Sequence, residues 1–269
     1  MMFKTLLFSA LKRYRRMLIS LSAGIFSFQV MMGSMFDSFA PIFSGGGPAA
    51  NTMPDALNVF TGGASMFDPI GWLGVGFAHP IPIMLIVVWS LVVSANSVAK
   101  EIEDGTAELL YTRPVSRSTI LGSRVAQFLI GLVVLLGASY LGSLAGIQLS
   151  DTLSSQVSQM EILKMTASYI PLAFLVAGLG FFISSAMSQK SSVISIVLGF
   201  VIVSYFLNFA GQLWDVLKDV VDYSIFYQTI AARWAVDDIN GFALLIISII
   251  SVGLITASFL VLNRRNITV

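Results

Sequence analysis

Cysteine is missing altogether from this chain of 269 residues, and histidine occurs once, at His79. The absence of cysteine excludes disulfides, thiolate metal sites and cysteine nucleophiles together. His79 has no second histidine and no carboxylate near it in the sequence. We therefore do not expect a metal centre.

Charge is also scarce, since 11% of the residues are charged and 56% are hydrophobic. Soluble domains carry roughly 25% charged residues, so a soluble protein of this size could not cover its surface with so few polar groups. The net charge of +1 gives no indication of a nucleic-acid partner. The composition predicts an integral membrane protein.

A nucleotide-binding loop is missing too, because no Gly-x-x-x-x-Gly-Lys-Ser/Thr pattern occurs. Residues 71–76 superficially resemble a glycine pattern that binds nucleotides. No predicted strand precedes them and no acidic residue follows at the spacing that this pattern requires, so the match is dismissed. Enzymes that act within membranes need paired carboxylates, a histidine metal site or an activated serine at membrane depth. We expect neither cofactor binding nor catalysis on this chain.

Long apolar runs dominate what is present. A helix needs about 20 apolar residues to cross the bilayer core, and only a structure that satisfies its own backbone can do so. The sequence predicts an all-α membrane protein with six transmembrane helices. The charge-free windows are 17–36, 80–99, 125–150, 165–189, 191–214 and 239–263.

The basic residues indicate the orientation, because lysine and arginine concentrate in cytoplasmic loops. Placing both termini in the cytoplasm leaves only Lys164, Lys218 and Arg233 of the 15 basic residues outside. Most acidic residues then lie outside. We expect a multi-pass protein of the plasma membrane, such as a prokaryotic inner membrane.

Residues 1–16 are predicted to form an amphipathic helix at the inner membrane surface, ahead of a six-span domain of residues 17–269. Its apolar residues recur at helical spacing, with basic residues between them. The alternative is that this segment extends the first span. The apolar residues are Phe3, Leu6, Leu7, Ala10, Leu11 and Tyr14.

Three outer loops are predicted, at about 37–79, 151–164 and 215–238. The last begins near Leu213 with apolar residues at helical spacing and acidic residues between them. It is predicted to form either an outer hairpin that dips into the membrane before the sixth span or a plain surface helix.

The inner loop of residues 100–124 is a polar island between two apolar runs. Asp104 or Thr106 can cap the start of a short helix, and Pro114 ends it because proline disfavours helical geometry in the residue before it. Ala107, Leu110 and Tyr111 share one apolar face of that helix, and Ser116 can cap the helix that leads into the third span. A soluble partner could bind the face; the alternative is an ordinary solvated loop.

The sequence from Glu101 to Arg117, Glu-Ile-Glu-Asp-Gly-Thr-Ala-Glu-Leu-Leu-Tyr-Thr-Arg-Pro-Val-Ser-Arg, carries a resemblance. It resembles the loop between the second and third spans of permease subunits of type-2 ABC transporters. The resemblance implies a cytoplasmic coupling helix, a connecting helix at residues 1–16 and an outer gate hairpin. The implied coupling residues are Glu101, Gly105, Thr106, Glu108, Leu109, Arg113, Pro114 and Arg117, to which the apolar face adds Leu110.

The resemblance also implies a separate ATPase subunit that binds ATP and magnesium, and a second permease copy or a sibling. Because the spans carry no charge, the cargo is expected to be amphipathic or hydrophobic, such as a peptide, lipid or drug. That the cargo is exported is implied by the resemblance alone. Gln29, Gln127 and Asn208 are candidates to line its pathway, with hydrogen bonding between helices as the alternative. A scaffold that moves nothing is the alternative function.

Overall fold

The computed structural model describes residues 2–44, 61, 65, 67–105, 115–217, 221 and 224–266. These residues are helices and their connections, with no strand among them. The helices are α1 (Met2–Ser44), α2 (Pro69–Ala78), α3 (Pro80–Ala95), α4 (Ala99–Glu103), α5 (Arg117–Ile147), α6 (Asp151–Gln156), α7 (Gln159–Ala167), α8 (Tyr169–Ala186), α9 (Lys190–Leu213), α10 (Ile225–Gln228), α11 (Ala231–Ala235) and α12 (Gly241–Arg264).

Five segments are long and apolar enough to cross a membrane: most of α1, then α5, α7 joined to α8, α9 and α12. The pair α2 and α3 meets at an angle of 43° and forms a sixth span if it is taken as one. Each of the five segments, and the pair α2 and α3, corresponds to one of the charge-free windows of the sequence.

Helices extend into the predicted outer loop at 37–79 from both sides, and its position outside the membrane stays a prediction. α1 continues to Ser44, and α2 starts at Pro69, a residue favoured in the first turn of a helix. The bend falls at His79 because Pro80 disfavours helical geometry in the residue before it. The side chain of His79 then accepts a hydrogen bond from the backbone N–H of Ile81, capping α3.

The predicted loop at 151–164 is also largely helical. The hydroxyl of Ser150 accepts a hydrogen bond from Leu153 and caps α6. Ser158 and Glu161 form a reciprocal capping box at the start of α7. The fourth span therefore begins with α7, several residues before the charge-free window.

Contacts between helix ends show that the spans alternate in direction. At one end, called the loop end, Arg13 of α1 and Arg124 of α5 both contact Glu101 of α4. At the other, called the far end, Tyr169 of α8 donates a hydrogen bond to the carbonyl of Phe77 in α2. The start of α1 and the end of α12 both lie at the loop end. That this end is cytoplasmic stays a prediction.

α1 is one uninterrupted helix of 43 residues, about 65 Å long at 1.5 Å per residue. The structure thus shows no break between the expected connecting helix and the first span. A helix of this length exceeds the bilayer core of roughly 30 Å, so part of α1 must tilt or lie outside it. An interfacial position for residues 1–16 stays a prediction.

Glycines allow α1 and α5 to pack backbone against backbone. A Cβ at Gly142 would lie 2.6 Å from the carbonyl oxygen of Phe26, and one at Gly146 would lie 2.8 Å from that of Gln29. Real Cβ atoms do not approach backbone atoms so closely. Gly142 and Gly146, four positions apart on α5, therefore contact α1 of the same chain, because glycine permits close helix approach.

We expect Gly142→Ala to destabilise the protein by about 1–3 kcal/mol, because its methyl group overlaps the backbone of α1. Gly137→Ala is the matched control, since it lies on the same helix with nothing within 4 Å of an added Cβ. Thermal unfolding in detergent should show a lower Tm for the first variant only. Equal Tm values for both variants would contradict this packing.

Candidate functional site: a polar network at the loop end

Glu101 lies at the centre of an ionic cluster in which Glu101 and Arg124 are buried and Arg13 is exposed. The side-chain oxygen Oε1 of Glu101 is 3.3 Å from a guanidinium nitrogen of Arg13 and 3.3 Å from one of Arg124. Glu101 is 7% exposed, and a carboxylate buried to this degree is stable only if it is paired. The two arginines come from α1 and α5, so Glu101 ties both helices to α4.

Ser184 of α8 positions the turn that carries Glu101. Its hydroxyl accepts hydrogen bonds from the backbone N–H groups of Val98 (3.2 Å) and Ala99 (3.0 Å). It also lies 3.2 Å from the carbonyl of Ala95, to which it donates. One buried hydroxyl thus satisfies backbone groups where α3 ends and α4 begins, groups that no helix can satisfy internally.

Glu103 connects α4 to α9. Its Oε2 atom accepts a hydrogen bond of 2.7 Å from the backbone N–H of Lys190, the first residue of α9. A carboxylate at a helix N-terminus also interacts favourably with the helix dipole. Two residues later, Gly105 has φ +68°, a left-handed conformation that suits glycine and turns the chain away from α4.

Arg117 connects the other side of the inner loop to α12. Its guanidinium donates hydrogen bonds to the carbonyls of Leu262, at 2.9 Å, and Arg265. These carbonyls lie at the C-terminal end of α12, where a cation is favourable. Arg265 in turn donates to the carbonyls of Ser185 (3.0 Å) and Met187 (2.9 Å) at the end of α8.

The structure thus brings Glu101, Gly105 and Arg117 of the predicted coupling residues to the loop end. Ser116 caps α5 by accepting from the N–H of Thr119, as predicted. Asp104 is the C-cap residue of α4. The predicted coupling helix and Thr106, Glu108, Leu109, Leu110, Arg113 and Pro114 lie outside the described residues.

Sequence reasoning missed the partners of this network: Arg13, Glu103, Arg124 and Arg265. Arg13, Arg124 and Arg265 were counted only as indicators of topology. Arg124 lies two turns inside α5 and is 9% exposed. A buried arginine requires an acidic partner, but its burial is visible only in the structure, and no sequence signal singled out Glu101.

The three predicted pathway residues lie in separate surroundings. Gln29 donates a hydrogen bond of 3.4 Å to Ser139, between α1 and α5. Asn208 accepts one of 2.9 Å from Gln212 on its own helix. Gln127 is fully buried, and its amide has no hydrogen-bond partner in the described part of the chain. The interhelical role is observed for Gln29 only.

An apolar crevice of about 580 Å³ opens between α9 and α12. Leu175 and Leu179 of α8 form its floor. Ile225 of α10 and Asn240, the N-cap residue of α12, lie at its far end. Lining side chains on the walls include Val203, Leu207, Phe242, Ile246 and Ile250.

Up to six apolar spans of alternating direction, joined by a buried polar network at one end, define a multi-pass helical membrane protein. Residues 7–262 match the model of one family, described as the C-terminal domain of the multidrug efflux system permease Rv1217c. The match covers nearly the whole chain, and the chain belongs to this family of permeases. Comparison with curated proteins gave no significant match, and neither did comparison with solved structures.

We expect Glu101→Leu to lower the free energy of unfolding by about 3–5 kcal/mol, because it removes the carboxylate that pairs with the buried guanidinium of Arg124. Asp104→Leu is the matched control, an exposed acidic residue three positions away. The free energy of unfolding, measured in mixed micelles, should be lower for Glu101→Leu than for Asp104→Leu. A loss for Glu101→Leu no larger than that of the control would contradict the cluster.

Proposed function

We propose that this chain is the permease subunit of an ATP-driven exporter. A separate ATPase subunit supplies ATP and magnesium, and a second copy of this chain or a sibling completes the pathway. Membership of the efflux permease family supports transport. The proposal that this chain is coupled to an ATPase rests on one observation. Polar contacts between helices flank residues 106–114 on both sides, at the loop end.

Residues next to this segment contact every span in the described part of the bundle. Before it, α4 continues from α3 and reaches α1 and α5 through Glu101, α8 through the turn at Ser184, and α9 through Glu103. After it, Arg117 reaches α12. A partner that displaces residues 106–114 therefore acts on all spans through short polar contacts.

The contacts to α9 and α12 suit the transmission of movement because they are charge-assisted hydrogen bonds to helix ends. Such bonds are stronger than neutral ones, and they hold the terminus of a helix without covering its sides. α9 and α12 are each held in this way at the loop end. These two helices can then follow the segment while α1 and α5 remain packed through their glycines.

The cargo is proposed to be amphipathic or hydrophobic, such as a peptide, lipid or drug. Charged groups within spans mark ion and proton pathways, and the six predicted windows contain none. The crevice between α9 and α12 provides a large space with an apolar lining. Both features favour a cargo that partitions into the membrane.

The first test is purification from native membranes in mild detergent, with identification of the proteins present in equal amounts. We expect a P-loop ATPase that is lost when Glu108 and Leu110 are both replaced by alanine. Recovery of the chain alone, under conditions that keep other membrane complexes intact, would overturn the ATP-driven function and favour the scaffold.

We expect Arg117→Leu to lower ATP-dependent transport by about tenfold or more in reconstituted vesicles, because α12 loses both hydrogen bonds to the loop. Arg264→Leu is the matched control, an exposed arginine in the last turn of the same helix. ATP hydrolysis by the partner should continue in both variants. Normal transport by Arg117→Leu, with the protein folded, would contradict the coupling role.

A further inference from the structure

One face of α1 is exposed along the first half of the helix. Its residues recur every three or four positions, the spacing that places side chains on one side of a helix. We call this face the α1 stripe. It consists of Lys4, Phe8, Lys12, Arg15, Ile19, Ala23 and Phe26, all of which are exposed. Because α1 is unbroken, the basic part of the stripe continues directly into its apolar part.

Contacts on the other sides of α1 fix the direction in which the stripe faces. Ile25 and Phe28 are buried, and the backbone of α1 packs against Gly142 of α5. Arg13 lies on another side of the helix and contacts Glu101 at 3.3 Å. The rotation of α1 is therefore set by its neighbours, and the stripe is left facing the surroundings of the protein.

The charge of the stripe is of one sign. The chain contains no acidic residue before Asp37, so the basic residues of the stripe have no acidic neighbour on this part of α1. No ion pair joins Lys12 or Arg15 to another residue that the structure describes. Arg16 adds an exposed positive charge next to Arg15. The electrostatic match is to an anion from outside the described part of the chain.

The order of basic and apolar residues along the stripe matches that of a phospholipid. At 1.5 Å per residue, Arg15 lies about 6 Å before Ile19, and Lys12 lies about 10 Å before it. Ile19 and Phe26 belong to a membrane-spanning helix and are 65% and 39% exposed. A phospholipid carries its phosphate immediately above its acyl chains. Acyl chains on the apolar part therefore bring the phosphate to the basic part.

Two other occupants fit the stripe less well. A soluble protein that contacted Lys12 and Arg15 would leave Ile19 and Phe26 uncovered, because these residues lie deeper along the span. A second copy that met the same stripe through a twofold axis would place like charges opposite each other, which is unfavourable. Basic segments at a membrane surface, by contrast, favour anionic lipids by about a factor of five for each lysine or arginine.

We propose that the α1 stripe binds a phospholipid with an anionic headgroup. Lys12 and Arg15 hold the phosphate, and the acyl chains lie along Ile19 and Phe26. The negative charge of the headgroup selects the lipid, since the apolar part accepts the acyl chains of any phospholipid. This inference goes beyond the proposed function. It depends neither on an ATPase partner nor on which end of the bundle is cytoplasmic.

The chain has no cysteine, so one introduced cysteine is the only site for a thiol label. Ala23→Cys places a fluorescent bimane on the stripe and leaves Ile19 and Phe26 in place. Val133→Cys is the matched control, an exposed position of α5 nine residues after Arg124, the nearest charged residue on that helix. The full chain is placed in phosphatidylcholine nanodiscs with a small fixed fraction of doxyl-labelled lipid, whose doxyl group quenches bimane at short range.

Each label is measured with two doxyl lipids that differ only in their headgroup, phosphatidylglycerol and phosphatidylcholine. The ratio of the two quenching constants at one position cancels the depth of the label. We expect a ratio of about five or more at position 23 and of about one at position 133. High salt should lower the ratio at position 23, because it screens the charges of the headgroup and of the side chains.

Ratios of about one at both positions would overturn the proposal. Raised ratios at both would overturn it too, since the protein would then attract anionic lipids without a site on α1. Weak quenching at position 23 by both lipids, with normal quenching at position 133, would overturn it by showing that a second copy or another protein covers the stripe. Loss of the raised ratio in excess glycerol phosphate would also overturn it, because the anion would then be a soluble phosphate compound.

Single substitutions of matched charge assign the selection to its residues. Arg15→Gln should lower the ratio at position 23 by about fivefold, whereas Arg264→Gln, which removes an exposed arginine from α12, should not. Arg15→Lys should keep the ratio because it keeps the charge. Unchanged quenching by the phosphatidylcholine probe shows that a variant is folded and inserted. An unaltered ratio in such a variant with both Lys12→Gln and Arg15→Gln would overturn the proposal.

Discussion

Helix ends impose the main constraint on this molecule. The first four N–H groups and the last four carbonyls of a helix have no partner within it, and leaving them without partners in a membrane costs several kcal/mol per group. Side chains from other helices meet this need at the loop end. Ser184 serves the turn after α3, Glu103 serves the start of α9, and Arg117 serves the end of α12. At the loop end, the interactions that cap helices are therefore the same ones that connect the helices to one another.

The two halves of the bundle differ in how they pack. α1 and α5 approach so closely that an added methyl group at Gly142 or Gly146 would overlap backbone atoms. α9 and α12 leave an apolar crevice between them. Close backbone packing leaves little freedom to move, because interiors of native density tolerate few changes of volume.

A buried carboxylate between two arginines, as at Glu101, is a costly arrangement. Replacing such clusters by apolar residues often stabilises a protein, whereas removing one member destabilises it strongly. We infer that the cluster specifies how α1, α4 and α5 meet more than it stabilises their packing. This role agrees with a position beside the segment that is proposed to receive the ATPase.

The sequence by itself determined the spans, the membrane class and several local features. Hydrophobic runs of about 20 residues are decisive because lipid leaves the backbone no other solution. The cap at Ser116 depends on residues next to it in the sequence, so the local pattern predicts it. Family membership adds the transport class.

Only the tertiary structure decided which residues pair. Glu101 meets Arg13 across 88 positions of the chain, and Glu103 meets Lys190 across 87. Such contacts depend on how whole helices are arranged, and periodicity within one segment carries no information on that. Residues 71–76 likewise lie in α2, where Gly74 lies so close to Ala232 of α11 that an added Cβ would be 2.7 Å from the Cβ of Ala232.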